Sequence, residues 1–482
     1  MLATLLRRAA LACLFTPLWV NAASDALPAE VAAALERAGV PASAVSVWVQ
    51  EVGASKALLS WQARQAMNPA SLMKLVTTYA ALDLLGPAWT WVTPVWLQGV
   101  LHNPGPQGVL EGNVVIKGSG DPKLVLERVW LLLRRVQQQG VHEIRGDIVL
   151  DRSAFNAPEP SASDFDGEAQ RPYNVRPDAL LLNYKSVLLS FTPDAARGVA
   201  NVAADPSLTG VRLEPSVPLA AGACNDWRGG VKAELADPSA IRWAGSYPAA
   251  CGEKSWSLAY ADPNSYNARL VEALWRELGG SLSGSVRDGA APLTRPTFEF
   301  ASPALADVVR DINKFSNNVM AQQLFLTLGL QRKGSGTPEA AREVMRAWLE
   351  DKLGERAAGA VIDNGSGLSR EARLSAELLG RLLLSAWASP VMPELMSSLP
   401  LSGLDGTLRR TSAPASVGRA HLKTGSLRDV TGVAGYVLTA GGRRQVLVAI
   451  VNHPNANAAR PALDALVQWT LNLRPGAMAG AN

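Results

Sequence analysis

Between Pro94 and Pro248 the chain is a succession of short Val/Leu runs cut by glycines, prolines and polar turns, such as Gly108-Val-Leu-Glu-Gly-Asn-Val-Val-Ile and Gly146-Asp-Ile-Val-Leu. Runs of this kind read as strands and tight turns, and a stretch this long is no mere connection. Residues 89–258 are therefore expected to form a mainly β insertion, interrupted by one helix over 124–139. The flanks have a different texture. Val45, Val47 and Val49 alternate along a strand, and after Gly53 the run over 57–61 supplies an antiparallel partner. Leu72, Leu75, Val76, Tyr79 and Leu82 then repeat at helical spacing.

Helical periodicity returns after Asp262-Pro263-Asn264 through Leu270, Leu274 and Leu278. Ile312, Phe315 and Val319 place one continuous helix over 305–328. Thr337 followed by Pro338 reads as a cap and first-turn residue, and another helix is expected over 375–388. Strands over 421–424, 433–438 and 445–451, with a turn at Ala440-Gly441-Gly442, lead into a helix from about Pro461. Both flanks thus supply strands with helices between them. That predicts one α/β domain built from residues 23–88 and 259–482 across the insertion.

The first 22 residues join Arg7 and Arg8 to an apolar run from Ala9 to Val20, with small residues at Ala22 and Ala23. This is the layout of a cleavable export signal, and its apolar run of about 12 residues is shorter than the roughly 20 that a spanning helix needs. No later run is apolar for long enough to span, so the exported chain is expected to be free of transmembrane segments. Losing Arg7 and Arg8 lowers the formal charge from +4 to +2, and no long Lys/Arg cluster is present to neutralise phosphates, which argues against a nucleic-acid partner. Charged residues are only 18% of the chain and apolar ones 48%, a balance that favours a sizeable core over disorder.

Cys13 lies in the leader, leaving Cys224 and Cys251 as the exported pair. An even count in an oxidising compartment points to a disulfide between them, contributing on the order of 3 kcal/mol by loop closure. Neither cysteine has a nearby His for thiol catalysis. His102, His142, His421 and His453 are too scattered for a metal cluster, and His142-Glu143 lacks the second His of a zinc helix.

The reacting groups are expected in three short patterns. In Ser71-Leu72-Met73-Lys74, residues three apart share a helix face, so Lys74 can approach the Ser71 hydroxyl as its base, provided that burial or neighbouring positive charge keeps it neutral. Ser71 also sits near a helix start, where free N–H groups favour developing negative charge. Two Ser-x-Asn runs can supply the second pattern. Ser265-Tyr266-Asn267 follows Asp-Pro-Asn and reads equally as a helix cap, whereas Ser316-Asn317-Asn318 lies inside a stronger helical pattern without serving as a terminus, and is preferred. The third is Lys423-Thr424-Gly425-Ser426, in which Lys423 and Thr424 can meet a carboxylate and Gly425 allows close backbone approach.

In this order the three patterns resemble the active-site set of serine penicillin-binding proteins and β-lactamases. The long separation of Ser71 from Ser316 is similar to that in the DacB-type, low-molecular-mass class C group, the S13 family of D-alanyl-D-alanine carboxypeptidases and endopeptidases. Further family-like stretches are Gly118-Ser119-Gly120-Asp121-Pro122, Leu182-Asn183-Tyr184-Lys185-Ser186, Asp363-Asn364-Gly365-Ser366-Gly367-Leu368 and Leu404-Asp405-Gly406-Thr407-Leu408.

The resemblance implies a penicillin-binding transpeptidase/β-lactamase-like domain interrupted after the Ser71 helix. It implies that Ser71 attacks the carbonyl of a D-amino-acid peptide of peptidoglycan and that β-lactams acylate the same residue. It further implies that Lys74 takes the proton, Ser316 relays one to the leaving amine, Lys423 supports Ser316 and Asn318 positions the substrate amide. Thr424 and Lys423 would receive the terminal carboxylate, and the backbone N–H groups of Ser71 and Ser426 would form the oxyanion hole. No metal or organic cofactor is implied, and the location is the periplasm. Asp121, flanked by turn-forming glycine, is expected to face the cleft and pair with a wall-peptide ammonium, or else to bond only to backbone within a turn. Two other functions share these features. A β-lactamase needs a dedicated base for deacylation, which the sequence does not display, and a wall-binding module would bind sacculi without cleaving them.

Overall fold

A computed structural model of the protein describes residues 26–157, 161–410 and 414–473. The leader read at residues 1–22, with Cys13, lies outside the described residues.

Val45–Glu51 bonds antiparallel to Arg444–Asn452, with Val45 opposite Val451 and Glu51 opposite Gln445. The first strand among the described residues therefore pairs with the last, which closes one domain across the segments between them. The full sheet has five antiparallel strands, in the order Ala420–Leu427, Val430–Leu438, Arg444–Asn452, Val45–Glu51 and Leu59–Trp61. Alternate side chains go to opposite faces. Val446, Val448 and Ile450 join a helical core that includes Leu75, Tyr79, Ile312 and Leu324. Val45, Val47, Val49, Leu447 and Ala449 pack on the other face against the helices Ala29–Arg37 and Arg460–Leu471. A strand covered on both faces has no polar side to show, hence the unbroken apolar run of Val446 to Val451.

The insertion holds a seven-stranded mixed sheet, a five-stranded sheet, a three-stranded sheet and the helix Leu126–Gln138. Cys224 and Cys251 are joined by a disulfide in this part of the chain. Its C-terminal limit differs from the expected residue 258. The helix Pro263–Glu277 buries Leu270, Val271 and Leu274 in the core of the insertion, and Phe298–Ala301 pairs with Val92–His102. Periodicity identifies the buried face of a helix but not the partner that buries it, so the structural insertion runs on to about Ala301.

Thr337 caps its helix as expected, and Ser375, read as the first residue of its helix, also caps it, each accepting a backbone N–H with its side chain. The helix expected over 305–328 is instead two, Leu305–Phe315 and Asn318–Lys333. Ser316 takes a left-handed conformation with φ 55° and Asn317 caps the second helix by accepting from Met320 N at 3.0 Å. The Ser-Asn-Asn run is thus a double terminus after all. The break also turns Phe315 out of the buried stripe, leaving it 69% exposed.

Candidate active site

The break between the two helices faces the start of a third. Asn68 accepts from Ala70 N through its side chain at 2.9 Å, and Ala70–Leu72 makes one 3-10 turn before the α-helix Met73–Leu85. Ser71 sits in that turn, partly exposed, while Lys74 is wholly buried one turn on. The Lys74 Nζ lies 3.0 Å from Ser71 Oγ, 2.6 Å from Asn318 Oδ1 and 2.6 Å from the Ser366 carbonyl. All its partners are neutral. Burial, and then the charge of Lys423, hold its pKa well below the usual lysine range. The geometry thus meets the requirement for a base, a neutral amine within reach of the hydroxyl.

Lys423 is equally buried and is placed by the edge strand Ala420–Leu427. Its Nζ bonds to Ser316 Oγ at 2.8 Å and to the Thr424 carbonyl at 2.7 Å, and burial lowers its pKa to about 7. The left-handed turn at Ser316 is what brings this hydroxyl to the edge strand. Gly425 lets the strand close on the Ser71 turn, because a Cβ there would stand 2.8 Å from the Pro69 carbonyl oxygen. Thr424 is half-buried and Ser426 exposed at the same edge.

The structure therefore gathers Ser71, Lys74, Ser316, Asn318, Lys423 and the 424–426 edge at one place. It separates Ser265-Tyr266-Asn267 from them. Ser265 bonds within its own helix start, and Asn267 Nδ2 donates to the Leu180 carbonyl in the insertion core.

Asp121 does not face the cleft: of its two expected roles the ammonium-binding carboxylate is overturned, and the turn residue bonded to backbone is the one found. It is wholly buried, Oδ1 accepts the Lys123 backbone N–H at 2.7 Å, and Oδ2 has no hydrogen-bond partner among the described residues. Burial raises its pKa to about 6. A peptide ammonium cannot reach a group that solvent does not reach. The Gly118–Pro122 turn serves as a joint instead, since the Gly120 carbonyl accepts from Gln323 Nε2 at 3.1 Å on the Asn318 helix.

Sequence reasoning missed the Ser366 carbonyl as a partner of Lys74, because a backbone oxygen leaves no side-chain signature. It also missed Tyr173, whose carbonyl accepts from Asn318 Nδ2 at 3.4 Å and brings the insertion to the rim of the site.

An antiparallel sheet whose edge strand and flanking helices close a buried lysine onto a serine defines the active-serine, penicillin-interacting class of acyl-transfer enzymes. The D-Ala-D-Ala carboxypeptidase 3 (S13) family profile matches residues 27–473, and the chain belongs to that family. It is 27% identical to a D-alanyl-D-alanine carboxypeptidase of an Actinomadura species, over 90% of this chain and 82% of the relative. It is 23% identical to the D-alanyl-D-alanine carboxypeptidase DacB of Haemophilus influenzae, over 85% of each chain. The solved structure of penicillin binding protein 4 from H. influenzae matches with a TM-score of 0.73 at 21% identity, covering 91% of this chain and 99% of the other.

Proposed function

We propose that the protein is a periplasmic serine DD-peptidase that releases terminal D-alanine from peptidoglycan peptides and also cuts D-amino-acid cross-links. The observation that carries this reading is the buried, charge-depleted Lys74 amine 3.0 Å from Ser71 Oγ. Ser71 attacks the carbonyl carbon of the scissile bond while Lys74 takes its proton. The backbone N–H groups of Ser71 and Ser426 receive the developing oxyanion. Ser316 relays a proton to the leaving amine, its hydroxyl polarised by Lys423, and the amine departs as the acyl-enzyme forms. Asn318 holds the substrate amide, and Thr424 receives the carboxylate of the leaving residue, with the buried Lys423 amine behind it contributing only through its charge. Water then cleaves the ester, and Ser71 regains its proton. A β-lactam ring presents an equivalent carbonyl to Ser71, so β-lactams are covalent inhibitors.

The test is a matched pair of substrates, a D-Ala-D-Ala pentapeptide and a cross-linked muropeptide, given to wild type and to Ser71→Ala. Cleavage of both by wild type and of neither by the variant is expected. Release of D-alanine with an intact cross-link reduces the enzyme to a carboxypeptidase. Sacculus binding without any cleavage by wild type would overturn the enzymatic reading.

A further inference from the structure

We infer that Thr407 is a positioning residue for the carboxylate of the leaving group, acting through the hydroxyl of Thr424; the inference rests on the DD-peptidase reading. The Thr407 Oγ1 lies 2.7 Å from Thr424 Oγ1, and Thr407 is exposed beside the half-buried Thr424 on the edge strand. Two hydroxyls at that distance share one proton between them, leaving the second proton for an outside acceptor. When Thr407 accepts from Lys423's neighbour, Thr424 loses its donor to the substrate; when Thr407 donates, Thr424 Oγ1 is free to donate outward, and the first bond polarises the second. An anion beside Thr424 selects the latter arrangement. A neutral leaving group has no such preference.

The turn that carries Thr407 is fixed on the Ser316 side of the cleft. Asp405 accepts from Leu401 N at 2.7 Å with one oxygen and from Lys314 Nζ at 2.6 Å with the other. Lys314 Nζ also donates to the Leu399 carbonyl at 2.7 Å and stands two residues before Ser316. Gly406, with φ 55°, lies so close to the last turn of that helix that a Cβ would stand 2.6 Å from the Lys314 carbonyl oxygen. Thr407 is therefore held by the helix that presents Ser316, while Thr424 belongs to the strand that presents Lys423. Their hydrogen bond spans the two walls at the point where a leaving-group carboxylate is received.

The experiment compares two activated thioesters of one acyl-D-alanine, with mercaptoacetate or mercaptoacetamide as the leaving group, on wild type, Thr407→Val and Thr407→Ser. The readout is the ratio of the two kcat/KM values, together with the melting temperature of each protein. Wild type is expected to prefer the carboxylate, T407V to lose about tenfold of that ratio, and T407S to stay within about twofold of wild type, as for one hydrogen bond to a charged group. Equal losses by T407V on both thioesters would mark Thr407 as merely structural and overturn the inference. So would an unchanged ratio, in which case the DD-peptidase reading stands. If wild type turns over both thioesters without preference, the carboxylate site itself is refuted, and if it acylates with neither, the DD-peptidase reading falls with it. Should T407V not fold, an unselective but folded T407A, rescued by T407S, supports the inference, and a selective T407A overturns it.

Discussion

Lys74 owes its chemistry to what surrounds it. An exposed lysine would carry a proton near neutrality, but here the amine is wholly buried and surrounded by a hydroxyl, an amide oxygen and a carbonyl, with no carboxylate bonded to it. Lys74→Ala is predicted to fold and to acylate at least ~100-fold more slowly with a labelled penicillin, in line with typical general-base contributions. Stopped or quenched acylation rates check this, and near-normal rates remove Lys74 from the role of base. The sign with pH follows from the lowered pKa. The proton-free amine is the working form, so wild-type acylation should fall as the pH drops through the Lys74 pKa, and that limb should be absent from whatever residual rate K74A retains. The spacing of Ser71 and Lys74 was legible in the sequence because residues three apart on a helix necessarily share a face. The partner at Ser366 was not, since nothing in a side chain announces which carbonyl a distant turn will offer.

At the scale of elements, the junctions between insertion and catalytic domain decide the geometry. The helix Asn318–Lys333 is tied to the insertion by Gln323, which bonds to the carbonyls of Gly120 and Asp178 and accepts from Asp178 N. Asp121 lies inside the same joint, and its folded-state pKa of about 6 stands above its ordinary 3.8. A raised carboxyl pKa means that the folded chain binds the extra proton between those values, so the burden of the buried charge is fully present above about 6 and is relieved as the pH falls towards 3.8. Asp121→Asn is therefore predicted to melt higher than wild type at pH 7.5, with the gap narrowing at pH 4. Melting curves at the two values test it, and a gap independent of pH would contradict it. The sequence could not reveal this joint. Gly118 to Pro122 reads as a surface turn wherever its packing partner is remote in the chain, and the same blindness assigned the Pro263–Glu277 helix to the wrong side of the boundary. The Ser316 break was hidden for a related reason. Ile312 and Val319 keep helical spacing across it, and the Lys423 amine that the left-handed Ser316 meets lies more than a hundred residues away in the chain.

Across the whole molecule, the active site belongs to no contiguous segment. Ser71 and Lys74 precede the insertion, Ser316 and Asn318 follow it, and Lys423 lies on an edge strand that reaches the first strand only through two others. The alternation of Val45, Val47 and Val49 and the hairpin turn at Ala440-Gly441-Gly442 were enough to predict a single domain, because strands at the two ends of a chain need partners. Strand order and the division of the insertion into three sheets were not, since short apolar runs carry no address. The Cys224–Cys251 disulfide lies far from this chemistry in sequence and staples the insertion alone. Non-reducing peptide mapping is expected to recover the two cysteines as one linked species, and alkylatable thiols in freshly exported protein would contradict that. These scattered segments converge to make Ser71 the nucleophile. Peptide mass mapping after exposure to a labelled penicillin tests this most directly. A single, slowly released adduct on Ser71 is expected; an adduct on Ser265, Ser316 or any other serine would contradict it.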